Sequence, residues 1–200
     1  MTGPAAPPVP GGATAGATSV LNPANALTLL RILLVPVFAV VLAAHGGHSA
    51  GWRVAAWGAF AVAAVTDRFD GQLARARDEV TRFGVLADPI ADKALIGTAL
   101  VGLSLLGDLP WWVTVVILTR ELGVTALRFA VLRHGVIPAS RGGKLKTLLQ
   151  GVAIGLYVLP LSGWLASARW LVLAAALVVT LVTGGDYVLQ ARALRRADAR

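Results

Sequence analysis

Apolar residues run through this chain in six long blocks, over approximately 26–45, 52–77, 86–107, 110–134, 143–162 and 168–192. Short polar or basic connections separate them. Each block is close to the roughly 20 residues that an α-helix needs to cross a bilayer. The pattern predicts an all-α, polytopic membrane protein: a bundle of six transmembrane helices. Pro36 falls inside the first helix and predicts a kink there, which membrane helices tolerate when neighbours satisfy the freed carbonyl. Residues 1–18, MTGPAAPPVPGGATAGAT, are rich in Pro, Gly, Ala and Thr and carry no charged side chain. They predict a disordered tail. They lack the basic start and compact apolar run of a secretory signal. Residues 19–200 then form a single membrane-embedded domain, entered by a short interfacial segment at Ser19–Asn25.

Composition strengthens this reading. Hydrophobic residues make up 56% of the 200 and charged residues only 14%, against about 25% charged in soluble domains. There is no cysteine, which excludes disulfides and thiolate metal sites. The formal charge is +8. In a soluble chain that excess would raise nucleic acid as a partner, but no base-stacking aromatic pattern accompanies it. Its distribution instead sets an orientation. Arg68, Arg75, Arg77 and Arg82 fall in one connection, Arg133, Arg141, Lys144 and Lys146 in another, and Arg192, Arg195, Arg196 and Arg200 in the tail. The opposite loops carry only Arg53 and Arg169. Basic residues concentrate in cytoplasmic loops, so both termini and these connections are expected in the cytoplasm of a multi-pass protein of the cell membrane. Trp52, Trp111, Trp112, Trp164 and Trp170 fall near helix ends on the other side, as an interfacial aromatic belt does.

Four aspartates interrupt the second and third apolar blocks. A carboxylate at the edge of a membrane core is costly and marks a functional site by default. Asp67 and Asp70 are three apart, and Asp88 and Asp92 four apart, so each pair shares a helix face. A short connection, roughly 78–85, makes the two helices antiparallel neighbours whose acidic faces converge. Converging carboxylates repel unless a cation sits among them. An all-oxygen set suits Mg²⁺, Mn²⁺ or Ca²⁺, and two bridged ions would clamp phosphate oxygens. Gly71, Ala74 and Gly84 are small enough to let a ligand approach the backbone. Arg75 is placed to meet a phosphate or to pair with an acid. The plainer alternative has the acids only pairing with Arg68, Arg75, Arg77 and Lys93, at the expense of burying charge four times.

Written out, residues 67–92 read DRFDGQLARARDEVTRFGVLADPIAD. This fits D-x2-D-G-x2-A-R-x8-G-x3-D-x3-D at every fixed position, and so resembles the CDP-alcohol phosphatidyltransferases. NPANALTLLRILLVPVF at 22–38, ADPIADKAL at 87–95, LTRELGVTALR at 118–128, IPASRGGKLKTLLQ at 137–150 and Gly185-Asp186-Tyr187 resemble the branch of that family that uses a glycerol phosphate. The resemblance implies a six-helix, homodimeric membrane enzyme of phospholipid biosynthesis. It would transfer the phosphatidyl group of CDP-diacylglycerol to sn-glycerol 3-phosphate, giving phosphatidylglycerol phosphate and CMP. It also implies Asp67, Asp70 and Asp88 as the main ligands of two Mg²⁺ or Mn²⁺ ions. Asp92 becomes the general base and a further contact of the second ion, and Gly71, Ala74, Arg75 and Gly84 lie against the nucleotide. The motif serves the shared donor. Inositol phosphate, serine or phosphatidylglycerol therefore stay open as acceptors.

The acceptor's phosphate carries about two negative charges and needs cations of its own. Arg120, Arg128, Lys144 and Lys146 are the candidates, with Ser140 or Thr147 adding a hydroxyl. Glu121 and Arg128, seven apart, are expected to pair. Lys144 and Lys146 start the fifth helix, whose N-terminus favours an anion, although they would also serve as headgroup contacts. Arg31 either lines the same pocket or meets headgroups. Asp186 is expected to be a structural partner, and His45, His48 and His134 loop residues. A cation transporter would also carry intramembrane acids, but spread through the membrane depth and in matching halves. Here they cluster on one side.

Overall fold

In a computed structural model the described residues are 23–76, 82–131 and 141–198, with side chains described for 26–66, 87, 89–130, 142–194 and 196. The expected tail at 1–18, Ser140 and His134 lie outside them. Six α-helices follow one another: α1 (Pro23–Ala43), α2 (Ala50–Ala76), α3 (Arg82–Leu105), α4 (Trp111–Val131), α5 (Arg141–Val158) and α6 (Gly163–Asp198). No strand occurs among the described residues. Every apolar block therefore folds as the helix expected of it. Pro36 sits within an uninterrupted α1. Several boundaries differ, most at α6, which runs from Gly163 to Asp198 against the expected 168–192, and two others bear on a proline. Helix α3 begins at Arg82, four residues earlier than expected, which moves Pro89 from the first turn into the interior. Pro89 has no N–H to give, so the carbonyl four residues back loses its helical partner. Helix α5 ends at Val158, not at 162, because Pro160 turns the preceding residue away from helical geometry. Gly163, with a φ of +60°, then opens the 36-residue α6.

One apolar core joins all six helices. It includes Phe38 and Leu42 of α1, Phe60 of α2, Leu100 and Leu103 of α3, Val113 and Ile117 of α4, Ile154 and Tyr157 of α5, and Leu173 of α6. Within it the Ser104 and Thr114 hydroxyls lie 2.7 Å apart, and Thr114 also donates to the Leu100 carbonyl. Around the outside, large apolar side chains such as Val40, Leu105, Val115 and Leu171 are exposed. That is the surface a bilayer covers. The segments Ala26–Gly47 and Gly163–Leu194 are long and apolar enough to cross a membrane. Helices α2 to α5 carry the charged residues that gather at one end of the bundle.

Arg53 fixes the other end. Its guanidinium pairs with Asp108 in the α3–α4 loop, and donates to the Gly47 carbonyl after α1 and to the Tyr157 carbonyl of α5 at 3.2 Å. Sequence pattern alone makes Arg53 a loop cation; in the fold it is buried and staples three connections. Gly47 is left-handed (φ +75°), and a Cβ there would come within 2.3 Å of the Leu106 side chain, so the chain passes this point only as glycine. Beside it the His45 ring stacks on Trp52 with centroids 5.6 Å apart. The Arg53–Asp108 contact also joins the start of α2 to the end of α3, so the two helices run antiparallel. The halves bearing Asp67, Asp70, Asp88 and Asp92 therefore share the opposite end. Replacing Arg53 by Met is expected to destabilise the protein by about 1–3 kcal/mol, through orphaned carbonyls and an unpaired Asp108. Thermal unfolding in detergent followed by circular dichroism measures this. Turnover at a temperature where the variant stays folded should not change, because Arg53 lies at the far end.

Candidate active site

Asp67 and Asp70 fall within α2, and Asp88 and Asp92 within α3. The three- and four-residue spacings are thus real helical spacings. Of the four, only the Asp92 side chain is described. Gly71, Ala74 and Arg75 lie on α2 and Gly84 on α3, with the rest of the motif's side chains outside the described set. Asp92 is half-buried and stands where two cavities meet. One is a small polar cavity of about 50 Å³ between α3, α4 and α5, lined by Asp92, Lys93, Glu121, Lys146, Thr147 and Gln150 among others. The second is a groove of about 400 Å³ between α2 and α5, mostly apolar. It runs from Asp92, Arg31 and Thr147 past Gly151 and Val152 to Trp57 and Leu159. Val65, Leu148, Val152 and Trp57 along it are exposed, so its side is open to the surroundings of the bundle.

Glu121 organises the polar cavity. Its Oε1 accepts from the Lys146 ammonium and lies 3.3 Å from Arg120 Nη1, while Oε2 is 3.7 Å from Lys93 Nζ. One carboxylate on α4 thereby ties α3 and α5 together. The expected Glu121–Arg128 pair does not form. Arg128 instead donates to the Tyr187 hydroxyl at 2.7 Å and lies over that ring at 5.6 Å from its centroid. A seven-residue spacing permits the pairing, but α6 packs along that side of α4 and offers Tyr187 nearer. Arg120 also turns to α6, donating to the Thr180 carbonyl at 3.3 Å and to Thr183 Oγ1 at 2.9 Å. Gly184 allows this approach, since a Cβ there would sit 3.3 Å from Arg120 Cγ.

Of the four acceptor candidates, the fold brings Lys146 into the cavity with Asp92. Lys144 is exposed just before it, and Arg120 and Arg128 lie against α6. Thr147 lines both cavities. Arg31 is fully buried and lines the groove, not the Lys146 cavity. Asp186 is exposed on α6. The pattern named Glu121 and Lys93 only with other partners, Arg128 and the aspartates, and did not single out Gln150. The sequence signal for Gln150 is its place one turn after Lys146, at the end of the segment 137–150 and just before the apolar remainder of α5.

The carboxylate donors of α2 and α3 suit a hard divalent cation and no thiolate-seeking metal. No group of three metal-capable side chains occurs among the described residues, as expected when three of the four aspartate side chains are outside them. The profile of the family described as CDP-alcohol phosphatidyltransferase matches residues 21–182. That stretch contains all six helices down to the middle of α6. The chain belongs to the CDP-alcohol phosphatidyltransferases. It is similar to a "Probable phosphatidylglycerophosphate synthase" of Mycobacterium tuberculosis (strain ATCC 25618 / H37Rv), with 64% identity over 184 residues, covering 92% of this chain and 87% of that one. Two relatives called "CDP-diacylglycerol--glycerol-3-phosphate 3-phosphatidyltransferase" are more distant. That of Bacillus subtilis (strain 168) is 35% identical, covering 83% of this chain and 93% of its own. That of Escherichia coli (strain K12) is 37% identical, covering 84% and 93%. Membership of this family of transferases leaves no place for a cation transporter, and the all-oxygen donor set fits the divalent-metal dependence general to it.

Proposed function

We propose that this phosphatidyltransferase takes CDP-diacylglycerol and sn-glycerol 3-phosphate and forms phosphatidylglycerol phosphate and CMP. The observation that carries the reading is the complete aspartate motif on two antiparallel helices, with Asp92 sharing a cavity with Lys146. The names of the relatives point to the same acceptor. Asp67, Asp70 and Asp88, with Asp92, hold two divalent ions, Mg²⁺ or Mn²⁺, which when bound neutralise the charge of the pyrophosphate. Gly71, Ala74, Arg75 and Gly84 seat the cytidine nucleotide. Asp92 takes the proton of the acceptor hydroxyl as its oxygen bonds to the phosphorus bearing the diacylglycerol. The bond from that phosphorus to the CMP oxygen breaks, and CMP leaves. Lys146 and Lys144 hold the acceptor's phosphate, and Arg120 and Arg128 add positive potential behind them.

The same reading places the site at the cytoplasmic face of a six-span homodimer. The concentration of basic residues around that end supports the orientation, and the exposed apolar side chains around the bundle support the spans. The apolar groove beginning at Asp92 supports a lipid-tailed donor. Purified protein in detergent is expected to release CMP from CDP-diacylglycerol only with glycerol 3-phosphate and Mg²⁺ or Mn²⁺ both present. A chelator should stop the reaction, and added metal restore it. Running inositol phosphate, serine and phosphatidylglycerol in parallel tests the acceptor. Equal or better turnover with any of them overturns the assignment.

A further inference from the structure

Gln150 lies on α5 one turn after Lys146, so the two share a helix face. It is 3% exposed, and its Oε1 has no hydrogen-bond partner among the described residues. Some polar side chains at comparable depth find one another, as Ser104 with Thr114 and Thr183 with Arg120. A buried amide left unsatisfied is rare and calls for a reason. The unpartnered hydroxyls of Tyr157 and Thr180 do not line the Asp92 cavity, whereas Gln150 lines it together with Asp92 and Lys146. The cavity, roughly 50 Å³, is well above the about 10–15 Å³ that a single ordered water needs. It joins the groove at Asp92 and Thr147, which line both, so a three-carbon acceptor has room to extend past the cavity itself.

We infer that Gln150 reads the middle hydroxyl of a three-carbon acceptor. The inference rests on the proposed transfer to glycerol 3-phosphate. That acceptor has three polar points in a row: a phosphate, a secondary hydroxyl, and the primary hydroxyl that attacks. Lys146 meets the first and Asp92 the last, and Gln150 lies in the same cavity as both. A hydroxyl both donates and accepts, so either end of the amide serves. Gln150 is then a specificity residue that takes no part in bond making. A site with a buried polar group waiting for a hydroxyl penalises an analogue that lacks it.

The test uses the full-length protein in detergent with CDP-diacylglycerol and Mg²⁺. Glycerol 3-phosphate is compared with 3-hydroxypropyl phosphate, which keeps the phosphate and the primary hydroxyl but has no middle one. The wild type is expected to prefer glycerol 3-phosphate by about 10–100-fold in kcat/KM. Gln150→Met matches the side chain in length and volume. It should lower turnover of glycerol 3-phosphate by a similar factor and leave the analogue unchanged, so that the ratio falls toward one. Gln150→Asn, with its amide withdrawn by one carbon, should lower the ratio as well. Equal use of both acceptors by the wild type overturns the assignment, even if both variants fail to fold. So does a variant that slows both acceptors alike, because that is a structural role. A wild type that turns over neither acceptor sinks the functional reading itself, and is told apart from those results by the wild-type assay alone.

Discussion

Asp92→Asn is expected to lower kcat by about 10²–10⁴, the range a positioned general base contributes. Asn keeps the shape and half-burial of the side chain on α3 but cannot accept a proton from the attacking hydroxyl. The position is one where that proton can be delivered. Asp92 lines the cavity that holds Lys146 and also lines the apolar groove, so it faces both of the spaces proposed for the acceptor and the donor. On the proposed reading, which gives Asp67 to the ions and Asp92 chiefly to the proton, the variant should still bind the activating cation more tightly than Asp67→Asn. Titrating Mg²⁺ against CMP release for both variants separates the two roles. Full activity in Asp92→Asn removes it from the base role.

Glu121→Gln is expected to lower stability by about 3–5 kcal/mol, the loss typical of removing one member of a buried ion pair. The Lys146 side chain is 6% exposed and Glu121 14%. Neutralising the acid leaves an ammonium in the interior, with Arg120 and Lys93 close by and only the half-buried Asp92 across the cavity to balance them. Replacing the lysine too, as Glu121→Gln with Lys146→Met, should return most of the loss, since the uncompensated charge goes with it. Thermal unfolding in detergent by circular dichroism or tryptophan fluorescence measures both variants. Thiol-reactive dyes report nothing on a chain without cysteine. An unchanged Tm in Glu121→Gln would show that the cluster does not hold α3, α4 and α5 together.

The helices were legible because each apolar block is long and uniform. Their ends were less so where a local rule and tertiary packing compete. The apolar block suggests a start at 86, yet α3 begins at Arg82 and carries Pro89 in its interior. Pro160 does stop α5, as its chemistry demands. The aspartates were legible because a spacing of three or four on a helix decides which residues share a face, whatever packs against it. The partners of the cations were not. Which acid meets Lys146 depends on how α4 is rotated against α5 and α6, and that follows from packing among Ile117, Ile154 and Leu173. Hence Glu121 went to Lys146, and Arg128 to Tyr187. Gln150 was invisible for a similar reason. A lone glutamine in an apolar helix acquires meaning only when the neighbours that fail to satisfy it are known.

The groove between α2 and α5 has an open side along exposed Val65, Leu148 and Val152. A lipid-tailed donor can therefore slide in sideways without leaving the bilayer, while the acceptor diffuses in from water. The two substrates are then counted on different scales. The concentration that governs donor binding is its mole fraction among the surrounding lipids, a two-dimensional quantity. Diluting the donor with inert lipid or detergent lowers saturation even when its molar amount is unchanged. For such an enzyme the composition of the surrounding membrane sets the rate as directly as the supply of the soluble substrate does.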